Sequence, residues 1–215
     1  MRFVRTGVHA GSFRRLEAVL WAWVELMGDR SWWNEDEDAP WWYNERAILS
    51  LFAGAVWKSK GWAFEEYSTS KKFVTYRGRG AKAYSGRGDL AFWAKDSYYA
   101  LEAKACHPSL SGGGTPVRTV REALKEACGD VRRSPVRGSV PIGMVFVAPA
   151  IAVGQWKRWP ERRRALLDDL VGLPWGVAVA WTFPSWGAKL RVMEQGIRYV
   201  YPGAILVMGN ARKIG

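Results

Sequence analysis

Cysteine and histidine are scarce: the 215-residue chain holds 2 of each. Two cysteines exclude a disulfide framework and fit a reducing cytoplasm, and two histidines leave little room for a His-rich zinc site. Acid is also in deficit, with 20 Asp and Glu against 32 Lys and Arg, a formal net charge of +12. Long hydrophobic runs are missing. The longest nearly uncharged apolar stretch, Gly143 to Gly154, falls short of the roughly 20 residues of a membrane span, so no membrane partner is expected. Glu17 and Glu25 interrupt the apolar run near the N-terminus, which argues against a signal peptide.

What is present has the balance of a folded protein, with 48% hydrophobic and 24% charged residues. The length predicts one domain with a small appendage. The excess of base attracts a polyanion, and nucleic acid is the commonest; a solvated basic surface without a partner is the alternative. Acid gathers between Asp29 and Glu45, whereas Ser70 to Gly88 carries Lys71, Lys72, Arg77, Arg79, Lys82 and Arg87 and no acid at all. Glycines in that segment predict a mobile basic loop, able either to wrap a phosphate backbone or simply to face solvent.

Helical spacing predicts a first helix over Phe13 to Met27, with Ser12 as its cap, and a second over about Asn44 to Lys60. Strand-like runs follow at Trp62 to Ser68, Phe73 to Tyr76, Leu90 to Trp93 and Tyr98 to Ala105. Pro116 opens a third helix with the stripe Val117, Val120, Leu124, Ala127, Cys128 and Val131. Ile142 to Ala148 reads as a buried strand and Pro160 to Val171 as a short helix. Further strands are predicted at Val177 to Phe183, Ile197 to Tyr201 and Ile205 to Met208. This order predicts an α/β fold, a mixed central sheet flanked by helices. Residues 1–40 form an N-terminal helix and an acidic, Trp-rich connector; residues 41–215 form the main domain.

The informative segment is GRGDLAFWAKDSYYALEAKA. If Leu90 to Trp93 and Tyr98 to Leu101 are arms of a hairpin with Ala94 opposite Ser97, Asp89 falls opposite Glu102. Like charges so placed repel unless a divalent cation lies between them, and Mg²⁺ is commonly held by one or two carboxylates plus phosphate oxygens. Glu102 and Lys104 share a strand face, while Leu101, Ala103 and Ala105 share the other. A solvated edge strand is the bland alternative, but it does not explain Asp89. Glu45 lies on the apolar face of the second helix, either turned toward this cluster or merely favoured there by the helix dipole. Glu65 and Glu66 are rival third acids.

This pattern resembles the PD-(D/E)XK nuclease superfamily, with its αβββαβ restriction-endonuclease-like core, and archaeal and viral Holliday junction resolvases in particular. The resemblance rests on Asp89 and Glu102-Ala103-Lys104; Gly88 stands where the family usually has proline. It implies a Mg²⁺-dependent DNA endonuclease, with Mn²⁺ able to substitute. Asp89, Glu102 and the Ala103 carbonyl would hold the metal, Lys104 would position or deprotonate the attacking water, and Glu45 would match the acid of the first core helix. A nuclease-like subunit that binds DNA without cutting it is the rival, and an RNA-binding protein is another.

Arg118, Arg121, Lys125 and Arg132 recur along one side of the third helix and can grip a phosphate backbone or face solvent. Trp156 and Trp159, interleaved with Lys157, Arg158 and Arg162 to Arg164, are expected in the core rather than stacked on bases. The pairs Trp32-Trp33 and Trp41-Trp42 fit a homodimer surface, a DNA wedge or a cover for the second helix. Cys106, His107 and Cys128 lack zinc spacing and read as buried thiols beside a histidine.

Overall fold

A computed structural model describes residues 5–29, 31, 38–74, 81–112 and 114–214, and excludes the side chains of 70–74 and 81–85. In chain order the elements are β1 (Thr6–His9), α1 (Glu17–Gly28), α2 (Glu45–Lys58), β2 (Trp62–Val74), β3 (Ala81–Ala94) and β4 (Ser97–Cys106). They continue with α3 (Pro116–Arg133), β5 (Val140–Val147), β6 (Ile151–Ala152), α4 (Trp159–Val171), β7 (Ala178–Thr182), β8 (Arg191–Glu194), β9 (Ile197–Val200) and β10 (Ala204–Asn210). Seven strands make one mixed sheet in the order β1-β7-β10-β5-β4-β3-β2, and β6-β9-β8 make a small second sheet. The protein is α/β, and no helix among the described residues is long and apolar enough to cross a membrane.

Strand alternation sorts the large sheet's side chains into two cores. Leu90, Phe92, Leu101, Ala103, Met144, Phe146, Leu206 and Met208 pack with α1 and α2. Ala100, Val145, Val147, Val179, Ile205 and Val207 pack with α3 and α4 on the other face. Strand β5 is therefore buried on both sides, as its continuous apolar run predicts. It pairs in parallel with β4, and the 18-residue α3 makes the crossover that a parallel pair requires.

Residues 6–28 pack into this body. Strand β1 pairs with β7 at the sheet edge, and α1 supplies Leu20, Trp23 and Met27 to the first core. Ser12 does not cap α1; its hydroxyl donates to the Gly176 carbonyl at 2.6 Å, and a 3₁₀ turn at Arg14–Leu16 opens the helix instead. Asn44 does cap α2, accepting the Ala47 N–H at 3.0 Å. Among the described residues the expected basic loop is strand: Lys71 and Lys72 pair with Tyr84 and Ala83, and β2 takes in the expected run 62–68 and residues 73 and 74, while 75 and 76 lie outside the described residues. Arg77 and Arg79 lie outside the described residues, as do the side chains of Lys71, Lys72 and Lys82. Trp32 and Trp33 also lie outside them, whereas Trp41 is buried and stacked on Trp186 at 5.0 Å.

Candidate carboxylate site at the β3–β4 fork

The hairpin has the predicted register. Ala94 pairs with Ser97 and Leu90 with Leu101, and Lys95 and Asp96 turn the chain with φ of +43° and +62°. Positive φ at both central residues is the geometry of a type I′ turn, whose twist matches that of the strands. The ladder stops at Leu90–Leu101. Beyond it β3 stays paired with β2, so it forks away from β4 at Asp89. On β2, Glu66 stands across from Asp89 between the Glu65–Leu90 and Tyr67–Gly88 rungs, with φ of +49°. A non-glycine residue in that region is uncommon, and such backbone clusters at functional sites.

The fork removes β3 as a hydrogen-bond partner for the free edge of β4, and a carboxylate replaces it. Asp89 Oδ2 accepts the Ala103 N–H at 2.8 Å, and the Ala105 N–H lowers the pKa of the nearby Glu45 carboxyl in part. Asp89 and Glu102 are therefore not a formal β rung. Its bond to the Ala103 N–H still places Asp89 next to Glu102 along β4, and both charges, with burial as the largest cause, raise the Tyr67 pKa. A strand residue presents its N–H and C=O to the same edge, so the Ala103 carbonyl shares the edge that Asp89 caps.

Glu102 is only 4% exposed. Its β5 neighbour is Gly143, and α3 crosses close to that position: a Cβ on Gly143 would meet the Cys128 nitrogen at 2.7 Å and Cα at 3.1 Å. Close approach of α3 brings its acids to Lys104, whose Nζ lies 2.9 Å from Asp130 and 3.5 Å from Glu126. Burial works to lower the Lys104 pKa. The hydrogen bond and charge of Asp130, with the charges of Glu126 and Glu45, outweigh it and hold the ammonium above its ordinary value. Held by Asp130 and Glu126, the ammonium is suited to positioning and to offsetting negative charge.

Glu45 is half-buried at the start of α2. Burial and the Asp89 charge push its carboxyl pKa up, while Lys104 and the Ala105 N–H pull it down in part. An acid with a raised folded pKa costs stability when ionised, and that cost disappears as pH falls through the folded value. Glu45→Gln is therefore expected to raise the melting temperature modestly at pH 7 in EDTA. The gain should vanish near pH 4; a melting temperature lowered at pH 7 would show that Glu45 is a supporting ligand of the fold.

Among the described residues no group of three or more His, Cys, Asp or Glu is assembled as a metal cage, so Glu45 does not join Asp89 and Glu102 in one cluster. Two carboxylates with a neighbouring carbonyl are nevertheless a donor set of the size Mg²⁺ uses alongside phosphate and water. The Tyr67 hydroxyl supplies a second observation. It is buried beside both acids with no hydrogen-bond partner among the described residues, and a hydrated ion would satisfy it. The residues present fit such an ion.

The other described cations near this fork are engaged by Glu66, and those of α3 lie elsewhere. Arg87 donates to Glu66 at 2.6 Å, and Arg46 meets the other Glu66 oxygen at 2.8 Å. On α3, Lys125 lies over the Trp175 ring at 5.7 Å, and Arg132 donates to the Ile214 carbonyl at 2.6 Å. These residues, with exposed Arg118 and Arg121, occupy the flank of α3 opposite the one bearing Glu126 and Asp130. The stripe therefore does not line the carboxylate site, and Arg132 serves to hold the C-terminal segment. Trp159 is a core residue, stacked with Trp156 and packed edge-on against Phe183. Burial pushes the Cys106 thiol up to about 12 and Cys128 to about 11, so both stay protonated and unreactive.

Sequence reasoning missed Tyr67, Glu126 and Asp130. The two acids are spaced one helical turn apart, a signal that was readable. Tyr67 was hidden because alternation from Glu65 assigns it to the α2 face, and the Glu66 backbone reverses that. Comparison with family models, curated proteins and solved structures returns no match.

Proposed function

We propose that the protein is a Mg²⁺-dependent DNA endonuclease of PD-(D/E)XK type. The observation that carries the reading is the fork at Asp89, where a second carboxylate, a free strand edge and an ammonium group converge beside an unsatisfied buried hydroxyl. The order α2, β2, β3, β4, α3, β5 supports the same reading, and so does the net charge of +12. Asp89, Glu102 and the Ala103 carbonyl would hold the ion. When bound, it would supply Lewis acidity toward a phosphoryl oxygen and lower the pKa of a water. Lys104 would offset the charge that builds on the phosphate during attack. Tyr67 would orient the ion's water shell from below.

One observation favours the rival, a DNA-binding subunit that does not cut: the Lys104 ammonium is already engaged by Asp130 and Glu126. Incubation with supercoiled plasmid, linear duplex, a four-way junction and RNA, in Mg²⁺ or EDTA, separates the two. Nicking that depends on Mg²⁺ supports the enzyme; binding to DNA without nicking supports the rival. Lys104→Ala should lower the rate by about 10²–10³-fold, as loss of an electrostatic donor does elsewhere. Because the folded pKa of Lys104 is raised, its ion pairs contribute fully below the ordinary 10.5 and fade only as pH rises through the higher folded value. The wild-type rate should therefore show no rising limb from Lys104 deprotonation through the neutral range, and such a limb, lost in Lys104→Ala, would assign it the role of base.

A further inference from the structure

The sheet face that carries the carboxylates also carries a run of exposed rings toward the hairpin turn. Ala63, Phe92 and Tyr99 point into the first core, so their neighbours Trp62, Phe64, Trp93 and Tyr98 project from the opposite face. Trp62 is 60% exposed, Phe64 51% and Trp93 43%. The rungs Trp62–Trp93 and Trp93–Tyr98 set three of them side by side across β2, β3 and β4. Trp93 stacks on Tyr98 at 4.0 Å, Phe64 meets Trp93 edge-on at 6.3 Å, and Trp57 extends the row past Trp62 at 5.4 Å.

Rings of this size left in water are costly, and a contiguous exposed group marks an interaction surface. Their contacts with one another hold them in fixed orientations with ring surface still open. Exposed Lys60 and Lys95 flank the end of the row, with Asp96 in the same turn, and residues 81–88 of β3, which hold no acid, continue from its far side. Trp93 and Asp89 are four residues apart on β3, roughly 13 Å along one strand. Bases within a duplex have both faces covered by their neighbours, whereas unpaired bases can stack on such rings.

We propose that Trp62, Phe64, Trp93 and Tyr98 form a stacking platform for unpaired bases, which delivers a single strand or splayed end of DNA to the carboxylate fork. This rests on the nuclease reading and narrows its substrate class to DNA with an unpaired segment. The platform positions the strand and takes no part in bond cleavage.

Binding measured by fluorescence anisotropy in EDTA tests it without chemistry, using labelled oligo-dT and a blunt duplex. Removing two stacking contacts in Trp62→Ala/Trp93→Ala should weaken oligo-dT binding by about 30-fold or more and change duplex binding by less than about twofold. Trp93→Tyr, which keeps a ring, should bind nearly as well as wild type, and circular dichroism checks that each variant folds. The proposal is overturned if wild type does not bind oligo-dT, if the double variant binds it normally, or if light scattering shows a wild-type dimer that the double variant splits. A protein that binds through the rings yet cuts no DNA in Mg²⁺ would keep this inference and lose the nuclease reading. Unchanged oligo-dT binding with Mg²⁺-dependent duplex cutting would do the reverse.

Discussion

Asp89→Asn is expected to abolish Mg²⁺-dependent cleavage while leaving DNA binding intact or tighter. The substitution keeps the shape of the side chain and an oxygen that can accept the Ala103 N–H, so the fork at which β3 leaves β4 should survive. What disappears is a negative charge. Under the proposed function one of the two carboxylate donors would then be lost, and an ion worth several kcal/mol to the transition state would be held weakly. A loss of about 4 kcal/mol corresponds to roughly 10³-fold in rate, which is the minimum expected here. The same lost charge stops repelling phosphate, which is why affinity should hold or rise. Cleavage rates in Mg²⁺ and anisotropy in EDTA give the two readouts. Retained turnover would remove Asp89 from the metal site, and lost binding with lost turnover would point to damage of the fork itself. A third readout is independent of activity: Asp89 raises the Glu45 pKa, so in Asp89→Asn the Glu45 titration should move back toward the ordinary carboxylate range.

Much of this site was legible because strand geometry is strict. With a side-chain period of two and one hairpin turn, the sequence from Asp89 to Lys104 admits few arrangements, and the observed rungs are those it predicts from Leu90 to Ser97. The fork was not legible. There Asp89 takes the Ala103 N–H in place of a strand partner, and opposite it Glu66 has a left-handed backbone that its residue type gives no hint of. The α3 cations illustrate another limit. Helical spacing correctly puts them on one side, but spacing alone does not say which side the helix turns toward a given strand. Packing decides that, and the stripe Val120, Leu124, Ala127, Cys128 and Val131 leaves Glu126 and Asp130 on the flank near β4. Strand β1 escaped notice because four residues are too few for a periodic signal and depend on pairing with distant β7.

Gly143→Val should cause the largest loss of stability among the changes considered, with loss of activity following from it. Glycine within a strand weakens it unless a second backbone must come close, and here α3 does. A Cβ at residue 143 would meet the Cys128 sulfur and lie 2.7 Å from the Cys128 nitrogen, so backbone rather than a flexible side-chain end stands in the way. Strand β5 cannot yield easily, being paired on both edges by β4 and β10. Helix α3 must therefore move outward, at a cost of about 1–3 kcal/mol for overpacking and more if Val120, Leu124 and Val131 lose core contacts. The displacement reaches the site directly. Glu102 is the β4 neighbour of Gly143, and the Lys104 ion pair with Asp130 depends on the same helix position. Chemical denaturation should show the destabilisation, and Gly143→Ala should give a smaller loss in the same direction. If Gly143→Val melts like wild type, α3 does not press on β5 as described, and the burial of Glu102 and the setting of Lys104 need another cause.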